Sequence, residues 1–237
     1  LVRKELDAIN PSTIIYGEGW VGGPSLLDSS VAAFKTNAPK LERIGFFNDS
    51  TRDAIKGDNF HSEQTGFITG NYYMKESVKF GIAGAVWHHG IDYSRVIYNS
   101  FPWAGHAWHC VNYAASHDNL TLYDKLKASR PDLNDEEYMK LVNLAGAIVL
   151  TSQGIPFFML GIDMMRSKQG EHNSYNAPDE INQIDWSNKS RYRKVFAYHQ
   201  GLISLRRNHP AFRMAMADDI RRHLNFLPSK ESSIVFT

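Results

Sequence analysis

The chain has one cysteine, no hydrophobic run long enough to cross a bilayer and almost no net charge, and each shortage closes off a class of protein. Cys110 alone forms no intrachain disulfide and no cysteine-built zinc site, and it reads as a buried free thiol. No apolar stretch approaches the roughly 20 residues a spanning helix needs, so no membrane partner is expected. With 26 basic against 25 acidic residues and a formal charge of +1, no strong field would attract nucleic acid or anionic lipid, and a neutral substrate is easier to reconcile. A glycine-rich phosphate loop, an H-E-x-x-H zinc motif and a G-x-S-x-G nucleophile elbow are also missing, which removes several enzyme classes. What is present is ample core material: 237 residues, 43% hydrophobic, enough for one large domain or one domain and a small second piece. The first residues form a charged helical pattern and not a signal peptide, and with no initiating Met the chain is expected to be a piece of something longer.

Strand and helix patterns alternate. Residues 2–9 have the spacing of the end of an amphipathic helix, stopped by Asn10-Pro11, and a strand follows over 13–16. A second strand is expected over 43–47, with Ser50-Thr51-Arg52-Asp53 as a capping box for a short helix ended by Gly57. Residues 71–80 suggest another helix, and 84–109 a long irregular loop. A third strand over about 108–115 leads to Ser116-His117-Asp118-Asn119, then helices over 120–128 and 134–150, a short strand over 155–160, a polar loop over 170–185 and a last helix over 189–207. Beyond Pro210 the pattern changes, with strands of a different layer expected over 223–227 and 233–236. Such alternation predicts an α/β fold, one half of a TIM (β/α)8 barrel, with the residues beyond Pro210 in a different layer. An isolated half barrel would expose parallel-strand edges, so the missing half of the barrel is an expected partner.

Acids stand at the strand ends. Glu18 follows Thr13-Ile14-Ile15-Tyr16-Gly17, Asp49 follows the second strand and Asp118 the third. In a barrel these ends face one pocket, and glycosidic cleavage needs one carboxylic acid to protonate the leaving oxygen and a second carboxylate to attack or stabilise an oxocarbenium-like centre. Glu18 is the better acid candidate, because Tyr16 and Trp20 would desolvate it. Trp20 offers a flat face to a pyranose ring, and His117 and Asn119 offer donors to sugar hydroxyls. Plainer readings stand beside these. Asp118 and Asn119 fit as caps of the next helix, and Asp49 as a helix-start residue or a partner of Arg52. The five tryptophans fit the core, and adjacent His88-His89 lack metal-site spacing.

Taken in order, Tyr16-Gly17-Glu18-Gly19-Trp20, Phe47-Asn48-Asp49 with Arg52-Asp53-Ala54-Ile55-Lys56-Gly57, His117-Asp118-Asn119-Leu120-Thr121-Leu122 and Gly154-Ile155-Pro156-Phe157-Phe158 resemble the type I pullulanases, α-amylase-type glycoside hydrolases of family thirteen. His172-Asn173-Ser174-Tyr175-Asn176-Ala177-Pro178-Asp179 and Asn182-Gln183-Ile184-Asp185-Trp186 are similar to the same group. The resemblance implies cleavage of α-1,6-glucosidic linkages in pullulan, amylopectin or limit dextrins by a retaining mechanism. Glu18 would be general acid/base and Asp118 transition-state stabiliser, with Trp20, Asn48, Asp49, Arg52, His117, Asn119, Asn173 and Tyr175 binding the branched α-glucan. By the same resemblance the strands would be numbers five to eight, making 1–210 the second half of the TIM (β/α)8 barrel and 211–237 the beginning of a C-terminal β-sandwich, with the missing N-terminal half of the same enzyme as partner. No residue matches the family's nucleophile, so this segment alone is expected to be close to inactive. At strand eight Met159-Leu160-Gly161-Ile162-Asp163 replaces a polar residue and Ala-Gly-Glu-Glu or similar. No cofactor and no metal are expected, since no acid cluster has ligand spacing. A non-catalytic glucan-binding fragment and an isoamylase-like debranching enzyme are the alternatives.

Overall fold

The computed structural model describes residues 2–237. Four short strands, β1 (Ile15–Gly17), β2 (Ile44–Phe47), β3 (Cys110–Asn112) and β4 (Ile155–Pro156), pair in chain order as one parallel sheet. Ile15 lies opposite Ile44, Phe46 opposite Cys110 and Val111 opposite Ile155. The strands are shorter than the apolar runs that mark them, because a parallel ladder lasts only while both neighbours stay extended. Trp108 belongs to a 3-10 turn, Ala107–His109, while Tyr113, Ala114 and Ala115 continue buried beyond the paired residues. Single bonds prolong the ladder, from Asn48 N to Val111 O and from Phe157 N to Asn112 O, each 2.9 Å.

Parallel neighbours need crossovers. Between β2 and β3 run α2 (Asp49–Lys56) and α3 (Lys75–Ile82); between β3 and β4 run α4 (Leu122–Ser129) and α5 (Asp135–Thr151). The first crossover differs, passing from β1 to β2 through irregular chain and a 3-10 turn, Lys35–Lys40. N-terminal to the sheet is α1 (Val2–Ile9), and after β4 come α6 (Asp179–Asn182), α7 (Asn188–Arg191) and α8 (Arg193–Asn208). Phe46, Ile55, Val78, Phe80, Leu126, Val149 and Val195 carry strand and helix faces into one core. Gly146 lets α8 press against α5, since a Cβ there would come within 2.3 Å of His199 Nε2. Buried Arg206 on α8 closes the end of α5, donating to Leu150 O (2.9 Å), Ser152 O (2.6 Å) and Gly154 O (2.7 Å), carbonyls with no helical partner left to take.

Several local expectations are corrected. The cap of α2 is Asn48, which accepts from Thr51 N at 3.3 Å, and not Ser50. The helix after Asp118 starts later than expected and is capped by Thr121, which accepts from Asp124 N at 3.1 Å, so neither Asp118 nor Asn119 is a cap. The tryptophans are not five core residues: Trp103 is buried, Trp108 half-buried, and Trp20, Trp87 and Trp186 are exposed. Past a 3-10 turn, Pro210–Arg213, the chain forms α9 (Ala217–His223), seven residues with acids at its start and bases at its end, the order that suits the helix dipole. Only then come β5 (Phe226–Leu227) and β6 (Val235–Phe236), an antiparallel pair. His88 is structural: it accepts from Gly90 N through Nδ1 and donates through Nε2 to Leu224 O, at 3.0 and 2.9 Å. Cys110 is buried and free, and burial pushes its pKa up to about 12. Met159 and Ile162 are buried and share a small void with Leu122, Val142 and Met165.

Candidate active site

Glu18 directly follows β1, Asp49 opens α2 just after β2, and Asp118 follows the extended chain beyond β3. All three line one open pocket of about 630 Å³, with Trp20, Arg52, His117, Asn119 and Asn173. Eight of the ten residues singled out from sequence thus meet. Asn48 and Tyr175 do not: Asn48 is fully buried, donating to Asn112 Oδ1 at 3.2 Å, and Tyr175 is 83% exposed on its loop away from the pocket. Sequence reasoning missed Asn59, Phe60, Tyr113, Ser116 and His172, and gave Phe47 no role of its own.

The floor is aromatic. Phe47 and Tyr113 line the pocket, and Tyr16 and Phe157 pack against them, so that four rings, one from or just beyond each strand, meet edge to face, with Phe47 centred 5.8 Å from Tyr16, 4.8 Å from Tyr113 and 5.1 Å from Phe157. Tyr16 is therefore committed to this cluster. Glu18 lies exposed, so the apolar enclosure expected from Tyr16 and Trp20 is not formed within this chain.

Charges around the floor are paired. Arg52 grips Asp53 with two bonds, Nε to Oδ1 at 2.6 Å and Nη2 to Oδ2 at 3.0 Å, and gives a third from Nη1 to the Tyr113 hydroxyl at 3.0 Å. Burial alone would lower the Arg52 pKa, but the Asp53 carboxylate outweighs it and holds the guanidinium above its ordinary value. Tyr98 donates to the same carboxylate at 2.9 Å, and burial pushes Tyr113 up to about 12. The partner of Asp49 is Lys35, and not Arg52, which its neighbour Asp53 has taken. The Lys35 ammonium is also 5.6 Å from the centre of the Trp20 ring, a cation–π contact that steadies the indole. His117 Nε2 and Asp118 Oδ1 lie 3.2 Å apart, both well exposed.

The rim is fixed from beneath. Residues 57–66 form a loop closed at its neck, where Gly57 has a φ of 96° and a Cβ would come within 2.1 Å of Gln64 O. Lys125, 1% exposed, donates to His61 O, Ser62 O and Gln64 O at 2.6, 3.0 and 2.9 Å, holding the loop as a small cation would. Lys56 donates to Asn59 Oδ1 at 2.7 Å, and Asn59 Nδ2 donates to Asn119 Oδ1 at 2.5 Å. On the other side buried Lys168 donates to Ser174 Oγ at 2.5 Å and to His117 O at 3.4 Å, joining the loop of His172 and Asn173 to the chain before Asp118. Among the described residues no group of three His, Cys, Asp or Glu side chains is arranged to hold a metal, and no helix is long and apolar enough to cross a membrane.

No family model matches the chain. It is 39% identical over 235 residues to the pullulanase of Bacillus subtilis (strain 168), covering 99% of this chain and 31% of that one. It is 30% identical over 273 residues to pullulanase 1, chloroplastic, of Arabidopsis thaliana, covering 95% of this chain and 28% of that one. The crystal structure of the pullulanase from Paenibacillus barengoltzii in complex with maltohexaose and alpha-cyclodextrin superposes with a TM-score of 0.90 at 42% identity, covering 99% of this chain and 35% of that one. The chain spans about a third of the length of these relatives. The resemblance carried by the strand-end motifs holds from one end of the chain to the other, and the chain is homologous along nearly its whole length to the type I pullulanases.

Proposed function

We propose that this chain carries part of the active site of a glycoside hydrolase that debranches α-glucans, cutting α-1,6-glucosidic linkages in pullulan, amylopectin or limit dextrins. The observation that carries the reading is the meeting of Glu18 and Asp118, a hundred positions apart, in one sugar-sized pocket floored with aromatic rings. Glu18 gives its proton to the leaving glycosidic oxygen and later takes one from water; Asp118 stabilises the oxocarbenium-like charge between. Asp49 is held in its ion pair with Lys35, which suits it to positioning and not to attack. A retaining route also needs a nucleophile, and we assign none within this chain. Trp20 and the pocket's polar side chains bind the glucan, whose lack of charge agrees with the near-neutral balance of the protein.

We read residues 1–210 as strands five to eight of a (β/α)8 barrel and 211–237 as the beginning of a C-terminal β-sandwich. The parallel order of the sheet and the antiparallel pair that follows support this division. Among the described residues β1 and β4 each keep one unpaired edge, where the remaining strands of the barrel would join.

The test uses the full-length gene product on pullulan. Wild type should release maltotriose, and Glu18→Gln should lower kcat by about a hundredfold or more. Release of no maltotriose by wild type, or an unchanged rate in Glu18→Gln, contradicts the reading. The exposure of both acids favours one second reading, glucan binding without turnover. Calorimetric binding of a branched maltodextrin by a gene product with no hydrolytic activity would select it.

A further inference from the structure

Lys56 ends α2 and is 1% exposed, yet no carboxylate is bonded to it among the described residues. Its single hydrogen bond goes to Oδ1 of Asn59 at 2.7 Å. A buried ammonium is costly unless it is well bonded, so this contact has to be kept. In its charged form the direction is fixed by chemistry: an ammonium has three donors and no lone pair to accept with. Asn59 therefore turns its oxygen to Lys56 and its NH2 away. That NH2 donates to Oδ1 of Asn119, 2.5 Å distant. The oxygen of Asn119 is thereby used, and its own NH2, which finds no partner among the described residues, is the part of the carboxamide left to meet a ligand in the pocket that Asn119 lines. The backbone of Asn119 is left-handed, at φ 61°, a conformation that asparagine accepts more readily than most residues.

We infer that Lys56 is a positioning residue: acting through Asn59, it sets the hydrogen-bond polarity of Asn119, so that beside Asp118 the pocket presents N–H donors and not an acceptor. The ligand atom this arrangement takes is an oxygen with a free lone pair, such as a hydroxyl, ring or glycosidic oxygen of a sugar. While Lys56 is charged the relay works in one direction, because an ammonium, unlike an amide, cannot exchange donor for acceptor by a 180° turn. That the ligand is a glucan rests on the function proposed above; the polarity itself does not.

The experiment is a double-mutant cycle in the full-length gene product, with pullulan as substrate, on the acid side of neutrality where Lys56 carries its proton. Lys56→Met keeps the length and volume of the side chain and removes its donors. It should raise KM about tenfold, the effect of misdirecting one ligand hydrogen bond, while changing kcat less than twofold. In an Asn119→Ala background the same substitution should change KM less than twofold, because the group it orients is gone. An equal change of KM in both backgrounds, or an unchanged KM in a Lys56→Met protein with wild-type circular dichroism, overturns the inference. Should Lys56→Met fail to fold, Asn59→Asp decides: it accepts from Lys56 and has nothing to donate to Asn119, so KM should rise by a similar factor, and an unchanged KM overturns the inference. If wild type has no activity on glucans, the functional reading fails, and the polarity is judged by side-chain amide exchange in nitrogen-15 spectra. The Asn59 NH2 should then be protected in wild type and exchange at least tenfold faster in Lys56→Met, and equal exchange in the two overturns it.

Discussion

Residues 57–66 and residues 21–34 are both joined to pocket-lining chain, the first bringing Asn59 and Phe60 into the pocket and the second following directly on Trp20 without lining it. The first stretch is polar apart from Phe60, and two buried lysines fasten it from below. The second carries Val21, Leu26, Leu27 and Val31, all exposed, and its side-chain bonds are mostly local turns such as Asp28 to Ser30. Only toward its far end does it gain a fastening, where Asn37 Nδ2 donates to Ser29 O at 2.7 Å and to Ala32 O at 2.9 Å. Apolar side chains stabilise nothing until a surface covers them, whereas a buried donor facing several carbonyls fixes a loop with no core of its own. A pocket rim is therefore defined by what lies underneath it more than by the residues it displays.

The sharpest way to break this contrast is to remove a fastening. Lys125→Met leaves three inward-facing carbonyls without a partner, and should lower unfolding free energy by about 3 kcal/mol in chemical denaturation while raising KM for glucan. A loss below about 1 kcal/mol would mean that the loop holds itself. Gly57→Ala attacks the neck of the same loop, where both the positive φ and the nearness of Gln64 O oppose a side chain, and should cost about 2 kcal/mol or more by the same measurement.

A pH series probes the other lysine. Burial, aided by the Arg52 charge, lowers the pKa of Lys56 from 10.5 to about 7. Between these values the unfolded chain carries a proton that the folded chain does not, so stability rises with pH across that window; below about 7 both states carry it and the cost is felt in full. The stability of wild type relative to Lys56→Met should accordingly improve by up to about 2 kcal/mol from near pH 7 to near pH 9, and a flat difference would contradict the assigned burial. The smallest effect belongs to the other stretch: Leu26→Ser should stay within about 0.5 kcal/mol of wild type, since that side chain is fully exposed.

The same contrast explains what could be read in the sequence. Glu18, Asp49 and Asp118 were legible because each follows a β-branched or aromatic run within a few residues, and the parallel order of the strands brings such positions to one edge. Asn59 and Phe60 were not, because what sets them in the pocket is Lys125, more than 60 positions away and indistinguishable in sequence from a solvated helix lysine. Asn48 shared the motif of its pocket neighbours, but its side chain turns inward to cap α2 and bond Asn112, a choice made by tertiary packing. The tryptophans misled for a related reason: composition favours burial of a large ring, and Trp20 departs from it at a pocket wall where Lys35 supports it. The helix at Ala217–His223 escaped notice because seven residues with Ala217 and Ile220 buried give too short a period to stand out.

The central claim is that Glu18 and Asp118 serve the same bond, and the kcat on pullulan of the double variant Glu18→Ala/Asp118→Ala, set beside the two single variants, tests it most directly. Acting as a unit, the two acids should be non-additive, each single variant losing nearly as much activity as the double. Losses that multiply independently, or a single variant that keeps wild-type turnover, would contradict it.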